Sequence, residues 1–113
     1  MNDCYVAIWE FRVTSEYAAE FERVYVAGGT WEELFRSSPG FISTELVVDR
    51  VEAGRYLTID RWVSLEAFLD FKEKFGKEYA ALDRQCERFT KSETKIGEFT
   101  QVSPSPSAPG QQP

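Results

Sequence analysis

Histidine is absent from the 113 residues of this chain. It is the usual general base of Ser-His-Asp and Cys-His hydrolases, and a common protein ligand of haem, zinc and non-haem iron. Its absence excludes these classes of site in their ordinary form. Acid–base chemistry is left to Asp, Glu, Tyr or Lys.

Cysteine is almost as scarce, because the chain contains two, Cys4 and Cys86. They lie far apart in the sequence and neither has a neighbour at metal-ligand spacing. We therefore expect two free thiols rather than a disulfide or half of a zinc site. We also expect no bound metal and no cofactor.

Positive charge is the next deficit, since 13 Lys and Arg face 19 Asp and Glu, for a net charge of −6. Phosphate backbones and anionic membrane surfaces are bound by concentrated positive charge, so we expect neither nucleic acid nor membrane as a partner. No apolar run approaches the roughly 20 residues that span a bilayer, and the first residues do not read as a secretion signal. The expected location is the cytoplasm.

The chain has enough apolar residues for one compact domain, with 42% hydrophobic and 15% aromatic content. We place this domain at residues 1–100. The sequence after it ends in "SPSPSAPGQQP", which has no residue able to hold it on a core. Residues 101–113 are therefore expected to be a disordered tail rich in Pro and Ser.

Two stretches follow the same plan, since residues 5–21 can be laid over residues 56–71. In each copy, strand-like alternation changes to helix-like spacing just after a hydroxyl residue, Thr14 or Ser64. Such a side chain can accept a hydrogen bond from a free amide of the first helical turn. Each stretch is thus predicted to be a strand followed by a capped helix.

The first of these helices is expected to be bent. Gly28 and Gly29 are predicted to end it, and Thr30 with Glu33 has the spacing of a capping box that begins a second short helix. Later alternating runs predict further strands at 41–48, 56–62 and 92–99.

The resulting order β-α-β-β-α-β predicts an α+β protein with the ferredoxin-like split βαβ plan, in which a four-stranded antiparallel sheet carries its helices on one face. The other face is also apolar, with Val6 and Ile8 on the first strand and Leu57 and Ile59 on the third. An uncovered apolar face normally meets another protein surface. We therefore expect a homodimer packed through the sheet face.

Alternation places Tyr56, Thr58, Asp60 and Trp62 on one side of their strand, toward the helices. A buried carboxylate is costly unless it is paired, so Asp60 should either meet an Arg or Lys, with Arg12 or Arg84 as the conceivable partners, or lie in a solvated cavity. Of the two, structural pairing is favoured. If Asp60 is unpaired in an apolar pocket, its pKa rises and it can act as a general base.

Glu45 is a second carboxylate that alternation turns inward, where it can serve as the cross-strand partner of an arginine.

Trp62 has two compatible interpretations. It can pack in the core against aromatic residues of the next helix, or it can wall a pocket for a flat ligand. Tyr79 is spaced as part of a helix stripe, which is more often core than ligand cage, but it carries a hydroxyl.

A family resemblance is carried by the bent first helix and by the strings "WEELFRSSPGF" and "GRYLTIDRWVSLEAF", the second with Trp62, Ser64 and Phe68 at fixed spacing. Over about residues 4–100 the chain resembles the antibiotic biosynthesis monooxygenase (ABM) family of small dimeric α+β barrels. The resemblance implies an ABM-like domain with a cavity between sheet and helices. Some members oxidise phenolic or anthrone-like substrates there with molecular oxygen and without metal or flavin.

In those oxidising members an Asn lies four positions before this Trp and a Tyr lies six positions after it. Thr58 and Phe68 occupy the two positions here. Thr58 can still donate one hydrogen bond to a developing oxyanion, and the Tyr79 hydroxyl can stand in for the one that Phe68 lacks. Haem-degrading members use a His, which this chain does not have.

Two functions follow from the resemblance and the residues. The first is a cofactor-independent monooxygenase or oxidase of a small phenol- or anthrone-like aromatic, with Asp60 and Thr58 as catalytic residues and Trp62, Tyr56, Phe68 and Tyr79 as substrate-binding residues. The second is a small-molecule-binding or accessory dimer that keeps the cavity without turnover. Thr58 and Phe68 favour the second, and the apolar pocket favours the first.

Overall fold

A computed structural model describes residues 4–102 of the chain. These residues form four strands and four α-helices, with short 3-10 turns at Ser15–Tyr17 and Glu87–Phe89. In chain order the elements are β1 (Tyr5–Val13), α1 (Ala18–Tyr25), α2 (Thr30–Phe35), β2 (Phe41–Val48), β3 (Arg55–Trp62), α3 (Leu65–Lys74), α4 (Gly76–Cys86) and β4 (Thr90–Thr100). Of the tail predicted at 101–113, residues 103–113 lie outside the described residues, so the boundary of the predicted domain stays a prediction.

The strands form a single sheet in the order β2-β3-β1-β4, and every neighbouring pair is antiparallel. The two repeats of the sequence contribute β1 and β3, which lie side by side at its centre, with Ala7 opposite Asp60. The α+β fold with the ferredoxin-like plan is confirmed.

The helices cover one face of this sheet, and the core lies between them. Alternation along β1 turns Tyr5, Ala7, Phe11 and Val13 toward the helices, and all four are buried. The most deeply buried large side chains of the core are Phe21 of α1, Trp62 of β3 and Phe71 of α3.

Two of the predicted helix ends are confirmed. Gly28 has a φ of +86°, the left-handed conformation that glycine adopts without a steric penalty, and α1 has ended before it. Ser64 caps α3, since its Oγ accepts a hydrogen bond of 3.0 Å from the amide of Ala67.

Two other capping predictions are wrong. Thr14 makes no side-chain cap, because the chain leaves β1 through a 3-10 turn in which the Thr14 carbonyl accepts from the amide of Tyr17 at 2.9 Å. Helix α2 lacks the Thr30–Glu33 capping box, since its N-cap is Gly29. The Glu32 carboxylate instead accepts from the amide of Gly28 at 2.6 Å.

A β-bulge in β2 changes which of its side chains face the helices. Phe41 pairs with Trp62, but Ser43 pairs with Arg61, so Ile42 is an extra residue in the strand. From that point the alternation is inverted. The inward orientation predicted for Glu45 is therefore wrong.

Glu45 lies on the open side of the sheet, where its carboxylate meets Arg61 of β3 at 3.1 Å. The predicted pairing with a cross-strand arginine is confirmed.

The face of the sheet away from the helices keeps the apolar character expected from the sequence. Leu57 and Ile59 are half-buried there in the single chain, and Phe99 of β4 is 46% exposed beside Val6. The homodimer expected to cover this face stays a prediction. None of the helices within residues 4–102 is both long enough and apolar enough to cross a membrane.

Candidate functional site

A cavity of about 290 Å³ lies between the helix-covered face of the sheet and the helices. Half of its lining is aromatic, with contributions from the central strand and from three helices. These residues are Trp9 and Phe11 of β1, Tyr25 of α1, Trp31 and Phe35 of α2, and Tyr79 of α4. Such a wall suits a flat, largely apolar ligand.

The other half of the lining is polar. It consists of Thr44 of β2, Thr58 and Asp60 of β3, Lys72 of α3, Asp83 of α4 and Glu93 of β4. Within residues 4–102, no three His, Cys, Asp or Glu side chains cluster closely enough to hold a metal ion. The polar groups instead provide one ammonium, three carboxylates and two hydroxyls around an aromatic space.

Asp60 reaches the cavity from the middle of β3, where it lies between Ala7 of β1 and Thr44 of β2. Thr44 Oγ1 donates a hydrogen bond to Asp60 Oδ1. Burial disfavours the charged carboxylate and raises the pKa of Asp60 to about 6, while the hydrogen bond from Thr44 opposes this rise. The group therefore changes its protonation state close to neutral pH.

The expected ion pair of Asp60 is not formed by any cation in the described part of the chain. Arg12 is at an even position of β1 and so lies on the opposite face of the sheet, where it contacts Glu52 and Glu10. The predicted structural pairing is wrong. Asp60 instead has no cationic partner among the described residues and lies on a cavity whose lining is half aromatic and half polar.

Tyr79 keeps its hydroxyl protonated in the cavity. Burial, followed by the nearby charges of Asp83, Asp60 and Glu93, raises its pKa to about 12. Lys72 Nζ lies 4.1 Å from the centre of the Tyr79 ring, a cation–π contact that places the ammonium at the cavity wall. Tyr79 can therefore donate a hydrogen bond to a ligand at neutral pH.

Three of the six predicted site residues, Thr58, Asp60 and Tyr79, come together on this cavity. The other three are outside the lining that residues 4–102 form. Tyr56 donates a hydrogen bond to Glu22 of α1, and Phe68 packs on Tyr5 at 5.6 Å between ring centres.

Trp62 is 1% exposed and lies in a closed cluster of aromatic rings. Its ring centre is 5.1 to 5.5 Å from those of Phe35, Phe41, Phe68 and Phe71. This placement favours the packing interpretation of Trp62 over the pocket-wall interpretation.

Sequence reasoning did not select nine of the twelve residues that line the cavity, among them Trp9, Trp31, Thr44 and Lys72. The alternation of β1 carries a signal for Trp9, because it shares a face with Phe11. Thr44 has no such signal, since the bulge in β2 inverts the pattern. Trp31 and Lys72 depend on how α2 and α3 pack on the sheet, which periodicity does not specify. Trp31 is buried, and its Nε1 has no hydrogen-bond partner within the described residues.

The fold and the cavity define a small α+β protein with a ligand-sized site between its sheet and its helices. The sequence profile described as antibiotic biosynthesis monooxygenase matches residues 4–81. The chain therefore belongs to the antibiotic biosynthesis monooxygenase family, as the resemblance implied. A search of curated proteins gave no significant match.

Several solved structures share the fold along almost the whole chain. An alanine variant of SnoaB, a cofactor-independent oxygenase from Streptomyces nogalater, is 20% identical, with 92% of this chain and 98% of that chain covered and a TM-score of 0.67. PA3566 from Pseudomonas aeruginosa is 15% identical, with coverage of 91% and 98% and a TM-score of 0.65. A protein from Nitrosomonas europaea, provisionally named an antibiotic biosynthesis monooxygenase, is 14% identical, with coverage of 93% and 96% and a TM-score of 0.71. At these identities the likeness establishes the fold alone.

Proposed function

We propose that this protein is a cofactor-independent monooxygenase or oxidase of a small phenol- or anthrone-like aromatic, which binds in the cavity between sheet and helices. The observation that carries the proposal is Asp60. It is a carboxylate without a cationic partner among residues 4–102, and it lines an aromatic cavity with a pKa of about 6. A base with that pKa is suited to take a proton from an acidic phenol or C–H group near neutral pH.

In the proposed reaction Asp60 removes a proton from the substrate, breaking an O–H or activated C–H bond and forming an O–H bond on the carboxyl group. The Thr58 and Tyr79 hydroxyls donate hydrogen bonds to the oxygen on which negative charge develops. The electron-rich anion then reacts with molecular oxygen. For an anthrone-like CH₂ group, one oxygen atom enters the product as a carbonyl and the other leaves as water.

The protein's part in this chemistry is to hold the ring, remove water and stabilise the anion. The six aromatic residues supply the walls, and the neutral Tyr79 supplies a donor. SnoaB, described as a cofactor-independent oxygenase, shares the fold and so lends support to the reaction class.

The second candidate is a binding or accessory dimer without turnover. Phe68 favours it, because this side chain has no hydroxyl and packs against Tyr5 and Trp62 instead of reaching the cavity. Thr58 favours it too, since a hydroxyl replaces the amide that the oxidising members present.

Oxygen consumption with hydroxylated polycyclic aromatics separates the two candidates. The proposal predicts that wild-type protein consumes oxygen without added metal, haem or flavin, and that Asp60→Asn reduces the rate at least about 100-fold, the scale of losing a general base. Asp70→Asn, the same change at an exposed carboxylate of α3, is the matched control and keeps the wild-type rate. Ligand binding without any oxygen uptake would select the binding dimer.

We further propose that two copies pack through the open face of the sheet, where Val6, Ile8, Leu57 and Ile59 lie together. Sedimentation at micromolar concentration should give twice the chain mass. Ile59→Lys, which puts a charge at the centre of the face, is expected to yield monomers. A wild-type protein that stays monomeric at every concentration would rule out this assembly.

A further inference from the structure

The bulge at Ile42 determines which residue of β2 faces the cavity. With regular alternation after Phe41, Ser43 would lie opposite Asp60. The extra residue shifts the register, so Thr44 takes that place instead. Bulges often re-aim a side chain beside an active site. Here the re-aimed side chain is a hydroxyl that is 4% exposed and lines the cavity.

Thr44 is also the hydrogen-bond partner of Asp60. Its Oγ1 donates to Oδ1 of the carboxylate, and no other donor within residues 4–102 contacts Oδ2. Asp60 thus has one oxygen held by the neighbouring strand and one available to a ligand. A hydroxyl that donates to a carboxylate stabilises the charged form and fixes the rotation of the group.

Other titratable groups surround the same space. Those in its lining are Tyr25 of α1, Lys72 of α3, Tyr79 and Asp83 of α4, and Glu93 of β4, and Tyr5 of β1 lies outside the lining but close enough to feel the charge of Asp60. None of the Tyr79 hydroxyl, the Asp83 carboxyl and the Glu93 carboxyl can carry a positive charge, so these groups do not favour the charged form of Asp60. Lys72 makes its contact with the Tyr79 ring and no ion pair with Asp60.

We propose that Thr44 is a positioning residue for the proposed base: it holds Oδ1 of Asp60 so that Oδ2 faces the ligand, and it keeps the carboxylate ionised at the pH where the base must act. This inference rests on the proposed function for its catalytic consequence, but the Thr44–Asp60 interaction itself can be tested without a substrate. Two opposed influences set the proton affinity of Asp60: burial raises it, and the hydrogen bond from Thr44 lowers it. Removal of that hydrogen bond should therefore leave the effect of burial unopposed.

The test is the titration of the Asp60 carboxyl carbon, followed by NMR in wild type, Thr44→Val and Thr44→Ser without ligand. Thr44→Val keeps the shape of the side chain and loses the donor, so the pKa of Asp60 should rise by about one unit. Thr44→Ser restores the donor and should bring the pKa back toward the wild-type value. Should Thr44→Val fail to fold, Thr44→Ala also lacks the hydroxyl and should shift the pKa in the same direction.

Thr58→Val is the matched control, because it removes a buried hydroxyl from the same wall without removing the bond to Asp60. An equal rise in this variant, or no rise in Thr44→Val, would overturn the inference. If oxygen consumption is found, the acid limb of its pH profile should move up by the same amount in Thr44→Val. Absence of turnover would defeat the proposed function and leave the titration result standing on its own.

Discussion

Asp60 and Trp62 lie two residues apart on the same face of β3, yet their surroundings differ completely. Trp62 is sealed in a cluster of aromatic rings from α2, α3 and β2, while Asp60 lines a cavity of about 290 Å³. The comparison shows that the joint between β3 and α3, at residues 62–65, and the cavity that Asp60 lines are neighbouring but separate parts of the fold. The tryptophan that marks the family resemblance belongs to the joint.

The difference comes from what faces each residue. Phe35, Phe68 and Phe71 close over Trp62 and leave it 1% exposed. The neighbours of Asp60 on the cavity are Thr44 and a wall of aromatic rings, and these rings do not fill the space in front of the carboxylate. A well-packed aromatic cluster stabilises the fold, whereas a cavity with an unpaired carboxylate costs stability.

The largest effect is expected at Trp62. Trp62→Ala removes a large ring from a fully buried position, so it should lower the free energy of unfolding by about 3–5 kcal/mol. Trp62→Phe keeps an aromatic ring and should cost about 1–2 kcal/mol. Urea unfolding measures both. Ligand affinity should be unchanged in Trp62→Phe, and a large loss of affinity with little loss of stability would assign Trp62 to the site instead.

At Asp60, in contrast to Trp62, a substitution is expected to raise the free energy of unfolding. Its pKa is 3.8 without the influence of the fold and about 6 within it, so the folded protein binds the proton more tightly. The free energy of unfolding should therefore fall as the pH rises from about 4 to 6, and the loss is complete above the folded pKa.

Asp60→Asn removes this loss and should stabilise the protein by about 3 kcal/mol at pH 7 and by almost nothing below pH 4. Thermal unfolding of both proteins across this range measures the difference. A variant that is less stable than wild type at pH 7 would show that the charged carboxylate is compensated, and the comparison with Trp62 would lose its basis.

A smaller effect concerns the charge of the ligand. Asp60, Asp83 and Glu93 line the cavity, against the single ammonium of Lys72. At pH 8 a carboxylated aromatic should therefore bind about tenfold more weakly than a neutral hydroxylated aromatic of the same size. Isothermal titration calorimetry measures the ratio. Preference for the carboxylated compound would indicate that Lys72 dominates the electrostatics of the cavity.

The fold could be predicted from the sequence because the spacing of the apolar residues directly indicates which segments are strands and which are helices. The doubled strand-to-helix pattern, Gly28 and the Ser64 cap all correspond to local interactions that the structure contains. The site was harder to predict from the sequence. Alternation correctly placed Thr58 and Asp60 toward the helices, but it wrongly predicted that Glu45 points inward. The extra residue in β2 inverts the alternation, and nothing in the composition of the strand indicates it.

The closure of the aromatic cluster was also beyond sequence reasoning. Whether Trp62 lines a pocket depends on how closely Phe35 and Phe71, from two different helices, approach it. The periodicity of a helix predicts which of its faces is apolar, but not which residues that face contacts. The same limit explains why Trp31 and Lys72 were not selected as cavity residues.

The most direct test of the separation between joint and cavity uses the three tryptophans of the chain as reporters. Trp9 and Trp31 line the cavity, and Trp62 does not. Their indole N–H signals in a ¹H–¹⁵N spectrum can be assigned with the three single Trp→Phe variants and followed during titration with a hydroxylated polycyclic aromatic. Saturable shifts of the Trp9 and Trp31 signals with a stationary Trp62 signal are the predicted result. A Trp62 signal that shifts as much as the other two would contradict the account.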